Sequence, residues 1–499
     1  MPKPVRVRFA PSPTGDPHVG NIRTAIFNWL MVQHERQQGN EASFIVRIED
    51  TDQGRKTEGA LEAILESLRW LGLSWDEGPG VEGPYSPYFQ SERLPTYNEA
   101  ADALVASGWA YPCYCSSERL ETMRRGQMDR KESLGYAGHC RELDSASLAT
   151  WREEQEQEIP VVRFKVPRDG TTTCVDVIRG EVTFENRLLD DFVLLKSDGF
   201  PTYHLANVVD DHAMEISHVL RAEEWLSSLP RHKLLYEALG YAPPLFAHLP
   251  MILGPDRAKL SKRHGATSVL EYKQRGYLPE AVFNFLTLLG WSLDDHTEIM
   301  NREELVTHFG LDRVAKPAAI FNQEKLDWLN GVYIRDLSVD ELTNRIMPFL
   351  EEGLPADITR PIDREYVRQI APLVQERLKT LADAPDMVAF FLQESLSYDP
   401  ALLVDKQLTP EPVLQALKAA TARLQSLDVW QAEDLETLLR PMAEELNLKT
   451  RQFFGAIRSA VTGRTATPPL FETMEVLGRE RCLLRLEESQ RLLGAVSSL

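Results

Sequence analysis

The sequence predicts an α/β domain built on a parallel sheet, interrupted by an α+β insertion and followed by an all-α region. Three observations carry this. Residues 5–10 (VRVRFA) alternate Val5, Val7 and Phe9 with Arg6 and Arg8, the period of a strand. From Asn21 the apolar positions Ile22, Ala25, Ile26 and Trp29 recur at helical spacing, and residues 44–49 (FIVRIE) return to strand character. Strand, helix and strand within about fifty residues make a parallel unit, in which ligands bind beyond the carboxyl ends of the strands. After about residue 265 strand signals become sparse, and amphipathic helical patterns such as Leu435, Leu438, Leu439 and Met442 run to the end.

The elements follow in order. The breaker-rich loop PSPTGDPHVG separates the first strand from the first helix. Residues 111–200 change character, with a Cys pair, an acidic and Gln-rich helical patch near EEQEQE, and short β-like runs VVRFKVP and EVTFENR. This stretch reads as an insertion. The α/β pattern resumes with TYHLANVVDDH, a helix RAEEWLSSLPRHKLLYEALG opened by Arg221, and the strand-like FAHLPMIL. The boundaries expected are 1–110 and 201–255 for the two halves of the α/β domain, 111–200 for the insertion, 256–335 for a connecting region and 336–499 for the helical part. Thr- and Pro-rich punctuation falls at 409–412 and 467–469.

At 499 residues the chain is too long for one ordinary core. A composition of 43% apolar and 26% charged residues is that of a globular protein, and no apolar run reaches the roughly 18 residues of a membrane span. The N-terminus lacks the apolar core of a signal peptide, and five cysteines are too few for a disulfide scaffold of this size, so a reducing cytoplasm is expected. The formal net charge of −20 excludes indiscriminate polyanion binding, but not one specific RNA held along a local basic track.

Two short segments carry phosphate chemistry. In residues 11–21 (PSPTGDPHVGN), Gly15 and Gly20 remove side chains where a nucleotide could approach the backbone. His18 stands at a helix start, where orphan N–H groups and the helix dipole favour phosphate and an imidazole can donate to a phosphoryl oxygen as charge builds. In residues 259–263 (KLSKR), Lys259, Lys262 and Arg263 can clamp a triphosphate and neutralise a leaving pyrophosphate. Each segment alone is weak, since four residues recur easily and basic runs are usually solvated.

Their order changes the reading. A strand–HxGN–helix at the start and a KxSKR loop at the end of an interrupted α/β domain resemble the class I aminoacyl-tRNA synthetases. Within that class RFAPSPTGDPHVGNIRTA, VRIEDTD, PTYHLANVVDDH, RAEEWL and KLSKRHGA resemble the glutamyl-tRNA synthetase family of the bacterial type. The likeness continues through FNQEKLDWLNGVYIR and AIRSAVTGRTATPPLFE and covers essentially the whole chain. It implies a Rossmann-like catalytic domain, an acceptor-binding insertion, a stem-contact region and a helical anticodon-binding region. It further implies a ligase that uses ATP and Mg²⁺ to join L-glutamate to tRNA(Glu), through a glutamyl-adenylate, as a monomer. Charging of tRNA(Gln) with glutamate stays open.

The resemblance places Arg8, Ser12, Tyr203, Asn207 and Arg221 around the amino acid, with Glu49 on its ammonium. Arginine forks suit carboxylates because paired charged hydrogen bonds fix position and reject a neutral amide. Arg47 and Glu49 share one strand face by period two. Pro11, Gly15, His18, Gly20, Glu224, Trp225 and Lys262 are expected at ATP, with His18, Lys259 and Lys262 acting on the phosphates. Asp52 is expected near the amino acid or the tRNA end. Cys113 and Cys115, with Cys140, could hold structural Zn²⁺ completed by Tyr136 or by Glu142. Two other classes remain in view: a small-molecule nucleotidyltransferase, against which the long helical region counts, and a non-catalytic RNA-binding paralogue, against which both intact phosphate loops count. The glutaminyl relatives are expected to carry a largely β anticodon region, unlike the helical pattern here.

Overall fold

A computed structural model of the chain describes residues 3–496 apart from 16, 133, 156–158, 266 and 267, with the side chains of residues 53, 262 and 496 also outside the description. The chain divides into two compact units, one of Met1–Tyr272 with Val282–Gln323 and one of Lys273–Ala281 with Glu324–Leu499.

The first unit is built on strands β1 (Val5–Phe9), β2 (Ala42–Val46), β3 (Ala110–Cys113), β4 (Val161–Phe164), β5 (Thr171–Asp176), β6 (Gly180–Glu185), β7 (Val193–Leu195), β8 (His218–Ala222) and β9 (Leu245–Leu249). Six of them form one sheet in the order β2-β1-β8-β9-β5-β6, parallel throughout except for the β5–β6 hairpin. β1 crosses over to β2 through the helix Val19–Gln37, whose Ile22, Ala25, Ile26, Phe27 and Leu30 are fully buried. Apolar residues at every phase are what a helix enclosed on most sides requires.

Residues 111–200, expected as one insertion, divide between two sheets. β3, β4 and β7 make a separate antiparallel sheet, whereas β5 and β6 join the edge of the main sheet beside β9. The reason is long-range. The β5 residues Thr172, Cys174 and Asp176 are buried, and Asp176 accepts the His248 amide of β9 at 3.1 Å. A second expectation is corrected: Arg221 does not open a helix. It lies near the end of strand β8, with a 3₁₀ turn Glu223–Ser228 following and the helix beginning only at Leu229, with Pro230 in its first turn. Proline is tolerated there because that N–H has no helical partner.

In the second unit every described element from Glu324 onward is helical. The predicted punctuation coincides with helix starts at Pro410 and Leu470. Buried Arg485 donates to the carbonyls of Val461, Phe390 and Gln393 at 2.6–2.7 Å, satisfying orphan acceptors at two helix ends. No helix among the described residues is long and apolar enough to cross a membrane.

Candidate active site

β1, β8 and the extension of β2 end on one side of the sheet, and a cavity of about 650 Å³ opens there. Its lining includes Arg8, Ser12, Glu49, Tyr203, Asn207 and Arg221, the set expected around the amino acid. Pro11, Glu224 and Trp225 line it as well, and so does Asp52. Trp225 is 38% exposed and tilts against the Tyr203 ring at 4.4 Å, so it does not pack in the core.

The cavity floor is a buried charge lattice. Arg8 donates through Nε and Nη2 to the two carboxylate oxygens of Asp211, at 3.0 and 3.3 Å. Arg47 donates to Asp211 at 2.7 Å and to Glu49 at 3.2 Å. Asn207 also donates to Glu49, at 3.2 Å. Burial pushes the Glu49 carboxyl upward, and Arg47, Arg8 and Asn207 reverse only part of that. For Asp211 burial also pushes upward, but Arg8 and Arg47 together outweigh it and hold the carboxyl below its ordinary range.

At the far end the helix Val19–Gln37 is capped by His18, whose Nδ1 accepts from the Gly20 amide at 3.1 Å. That cap settles the tautomer: the proton of the neutral ring sits on Nε2. Burial, then the charge of Lys259, keep the imidazole below its ordinary pKa, with Glu224 opposing them. Lys259 forms an ion pair with Glu224, which ties the KLSKR segment to the turn that follows β8. Gly15 lies in the neighbouring smaller cleft with Ser12, Thr14 and Asn21. The side chain of Lys262, expected on the phosphates, lies outside the described residues. The loop before it is stiffened by Asp256, which pairs with Arg263 at 2.8 Å and His264 at 3.1 Å. Gly254 is needed there, since a Cβ would stand 2.8 Å from the His264 ring.

In the β3–β4–β7 body Cys113, Cys115 and Cys140 bring their sulfurs within 4.8 Å of one another. A tetrahedral zinc site with bonds near 2.3 Å needs sulfurs about 3.8 Å apart, so the donor set fits that ion. The Tyr136 oxygen lies 3.3 Å from Cys113 Sγ and 3.6 Å from Cys115 Sγ, and it accepts the Cys140 amide. Glu142 faces Arg141 and Lys165 instead and its side chain is 69% exposed. Of the two fourth partners left open by the sequence, Tyr136 is the one at the cluster.

Sequence reasoning passes over several residues that hold the site. Asp211 has no local signal, because adjacent acids late in a helix read as solvated. His232 and His248 contact Arg221 and Asp176 backs His248, from three different elements, and no spacing in the sequence relates them.

Comparison with known proteins bears on the whole chain. The family described as "tRNA synthetases class I (E and Q), catalytic domain" matches residues 4–328, and "Anticodon binding domain" matches residues 341–490. The glutamate–tRNA ligase of Dehalococcoides mccartyi (strain CBDB1) is 59% identical over 486 residues, covering 97% of each chain. That of Moorella thermoacetica is 46% identical, covering 98% of each. A crystal structure of a glutamate tRNA ligase from Elizabethkingia meningosepticum, in complex with its amino acid, superposes with a TM-score of 0.88 at 34% identity. It covers 98% of this chain and 100% of that one. A lattice of buried arginines at the strand ends, a helix-capping histidine and a lysine loop thus sit in a chain that belongs, over nearly its full length, to the glutamate–tRNA ligase family of class I tRNA synthetases.

Proposed function

We propose that the protein ligates L-glutamate to tRNA(Glu) with ATP through a glutamyl-adenylate, and that the cavity at the strand ends binds the amino acid. The observation that carries this is the gathering of donor-rich Arg8, Arg221 and Tyr203 in one cavity with buried Glu49, which Arg47 and Asn207 hold in place. Glutamate offers two carboxylates and one ammonium, and that lining is their complement. The α-carboxylate attacks the α-phosphorus of ATP, forming the acyl–phosphate bond and expelling pyrophosphate. The terminal ribose hydroxyl of the tRNA then takes the acyl group and AMP leaves. Mg²⁺ accompanies ATP and neutralises phosphate charge when bound. His18 Nε2–H, Lys259 and Lys262 stabilise the phosphates, and Glu224 holds Lys259 until nucleotide arrives. Pro11, Gly15 and Gly20 let the nucleotide approach the backbone, and Trp225 offers the adenosine an aromatic edge. Ser12 and Asn207 complete the amino-acid pocket, and the helical unit reads unstacked anticodon bases.

The test is ATP–pyrophosphate exchange with the full chain. Exchange that requires both glutamate and tRNA is expected, and exchange with neither or no exchange at all rejects the reading. Charging of purified tRNA(Glu) and tRNA(Gln) side by side decides whether the second is also a substrate.

A second reading, structural zinc, rests on the Cys113, Cys115, Cys140 and Tyr136 cluster. The purified protein is expected to contain one zinc per chain by elemental analysis, retained in Glu142→Ala and lost in Cys140→Ala. Tyr136→Phe is expected to weaken retention against a chelator. A protein with no zinc, or equal loss in Glu142→Ala, would reject this assignment.

A further inference from the structure

Arg221 is surrounded by an unusual shell. Its Nε donates to His248 Nε2 at 2.9 Å, and its Nη1 donates to the Tyr203 hydroxyl at 2.7 Å and to His232 Nδ1 at 3.4 Å. One Nη2 proton goes to the Trp225 carbonyl at 3.3 Å. Guanidinium carries five N–H groups and no acceptor, so four are committed and one Nη2 proton remains for a ligand. The Tyr203 hydroxyl, having accepted from Arg221, has its own proton to give to the same ligand atom group.

The protonation pattern follows from Arg221 being donor only. His248 must accept at Nε2, so its proton is on Nδ1, which lies 2.6 Å from Asp176 Oδ2. His232 must accept at Nδ1, so its Nε2 proton goes to His204 Nδ1 at 3.2 Å. Asp176 in turn accepts the amides of Ile178 and Arg179 on Oδ1, at 3.0 and 2.8 Å. The histidines of this shell are therefore neutral, and Asp176 orients the one that touches Arg221 Nε. Arg221, Asp176 and His248 are each at most 5% exposed.

We propose that His248, held in a single tautomer by Asp176, is a positioning residue that aims Arg221 at the side-chain carboxylate of the amino acid. This rests on the reading of Arg221 as a glutamate-binding residue. With Arg221 held at four points it cannot swing to follow a differently shaped group. The remaining Arg221 proton and the Tyr203 hydroxyl then present two donors at one place, which a carboxylate satisfies and the NH₂ end of an amide does not. The acid that secures this aim comes from β5, within the stretch that interrupts the catalytic sheet in sequence.

The test is steady-state kinetics on the full chain with glutamate and ATP varied separately. His248→Leu removes the acceptor for Arg221 Nε. It is expected to raise the KM for glutamate about 10- to 100-fold, the range for losing a hydrogen bond to a charged donor, while the KM for ATP moves less than about 2-fold. His248→Gln places an amide oxygen at the distance of Nε2 and is expected to restore most of the loss. Asp176→Asn keeps one oxygen and replaces the other by NH₂, although Oδ1 accepts the Ile178 and Arg179 amides and Oδ2 accepts the His248 amide at 3.1 Å as well as facing His248 Nδ1. In either orientation the carboxylate charge that holds the Nδ1 proton is gone, and glutamate KM is expected to rise with His248 present. In a His248→Gln background the tautomer no longer exists, so Asp176→Asn is expected to add little.

An unchanged glutamate KM in His248→Leu, while Arg221→Lys raises it, overturns the positioning role and leaves the reading of Arg221 intact. An unchanged glutamate KM in Arg221→Lys rejects that underlying reading. Should His248→Leu fail to fold, the glutamine background decides: an equal cost of Asp176→Asn with His248 and with Gln at that position marks both residues as structural only.

Discussion

Replacing Asp211 by alanine is expected to destabilise the catalytic unit by about 3–5 kcal/mol, the cost of breaking a buried ion pair from one side. Asp211 is 1% exposed and is the shared partner of Arg8 and Arg47, themselves 3% and 0% exposed. Its removal leaves two guanidiniums close together at the cavity floor, with Asp210 and Glu49 the carboxylates left near Arg47 among the described residues. Asp211→Asn keeps an acceptor but no charge and is expected to fall between wild type and alanine. The measurement is the denaturant midpoint at neutral pH, and a loss under about 1 kcal/mol would show that the lattice is not held by this residue. The pH dependence has a definite sign. The folded carboxyl lies below its ordinary value, so its stabilisation is complete above the unfolded value of about 3.9 and is lost as pH falls through the folded one. Wild type and Asp211→Asn are therefore expected to converge in stability under acid.

The second large effect is on rate. His18→Ala is expected to slow glutamate activation by about 10²–10³-fold, as for loss of one donor aimed at transition-state charge. Because His18 is also the helix cap, alanine is expected to cost about 1 kcal/mol of stability besides. His18→Asn separates the two roles. Asparagine is a good cap, so the thermal midpoint is expected to recover, while its short amide does not reach where Nε2–H reached and the rate does not. Recovery of rate with stability in His18→Asn would identify His18 as a cap alone.

The local elements of the fold are legible because each depends on neighbours in sequence. Alternation of Val5, Val7 and Phe9 marks β1, and the helical spacing of Ile22, Ala25, Ile26 and Trp29 marks the first crossover. The same logic misplaces Arg221. The segment RAEEWL contains good helix formers, and only pairing with β1 and β9 makes its first residues strand. Likewise β5 and β6 carry ordinary hairpin signals, and nothing local says that β5 joins β9 rather than the smaller sheet.

The sequence by itself determined the order of the phosphate loops, the family they belong to, and the residue types available to a glutamate pocket. Only the tertiary structure decided which charges meet. Asp211 lies 203 positions from Arg8, and Asp176 lies 72 from His248, separations at which periodicity carries no information. The same holds for the thiol cluster, where two chemically suitable fourth ligands stand in sequence but only Tyr136 has its oxygen turned to the sulfurs. Short-range steric preferences write strands, helices and caps into the sequence. Pairing of buried charges is written into it only through the packing that first removes them from water.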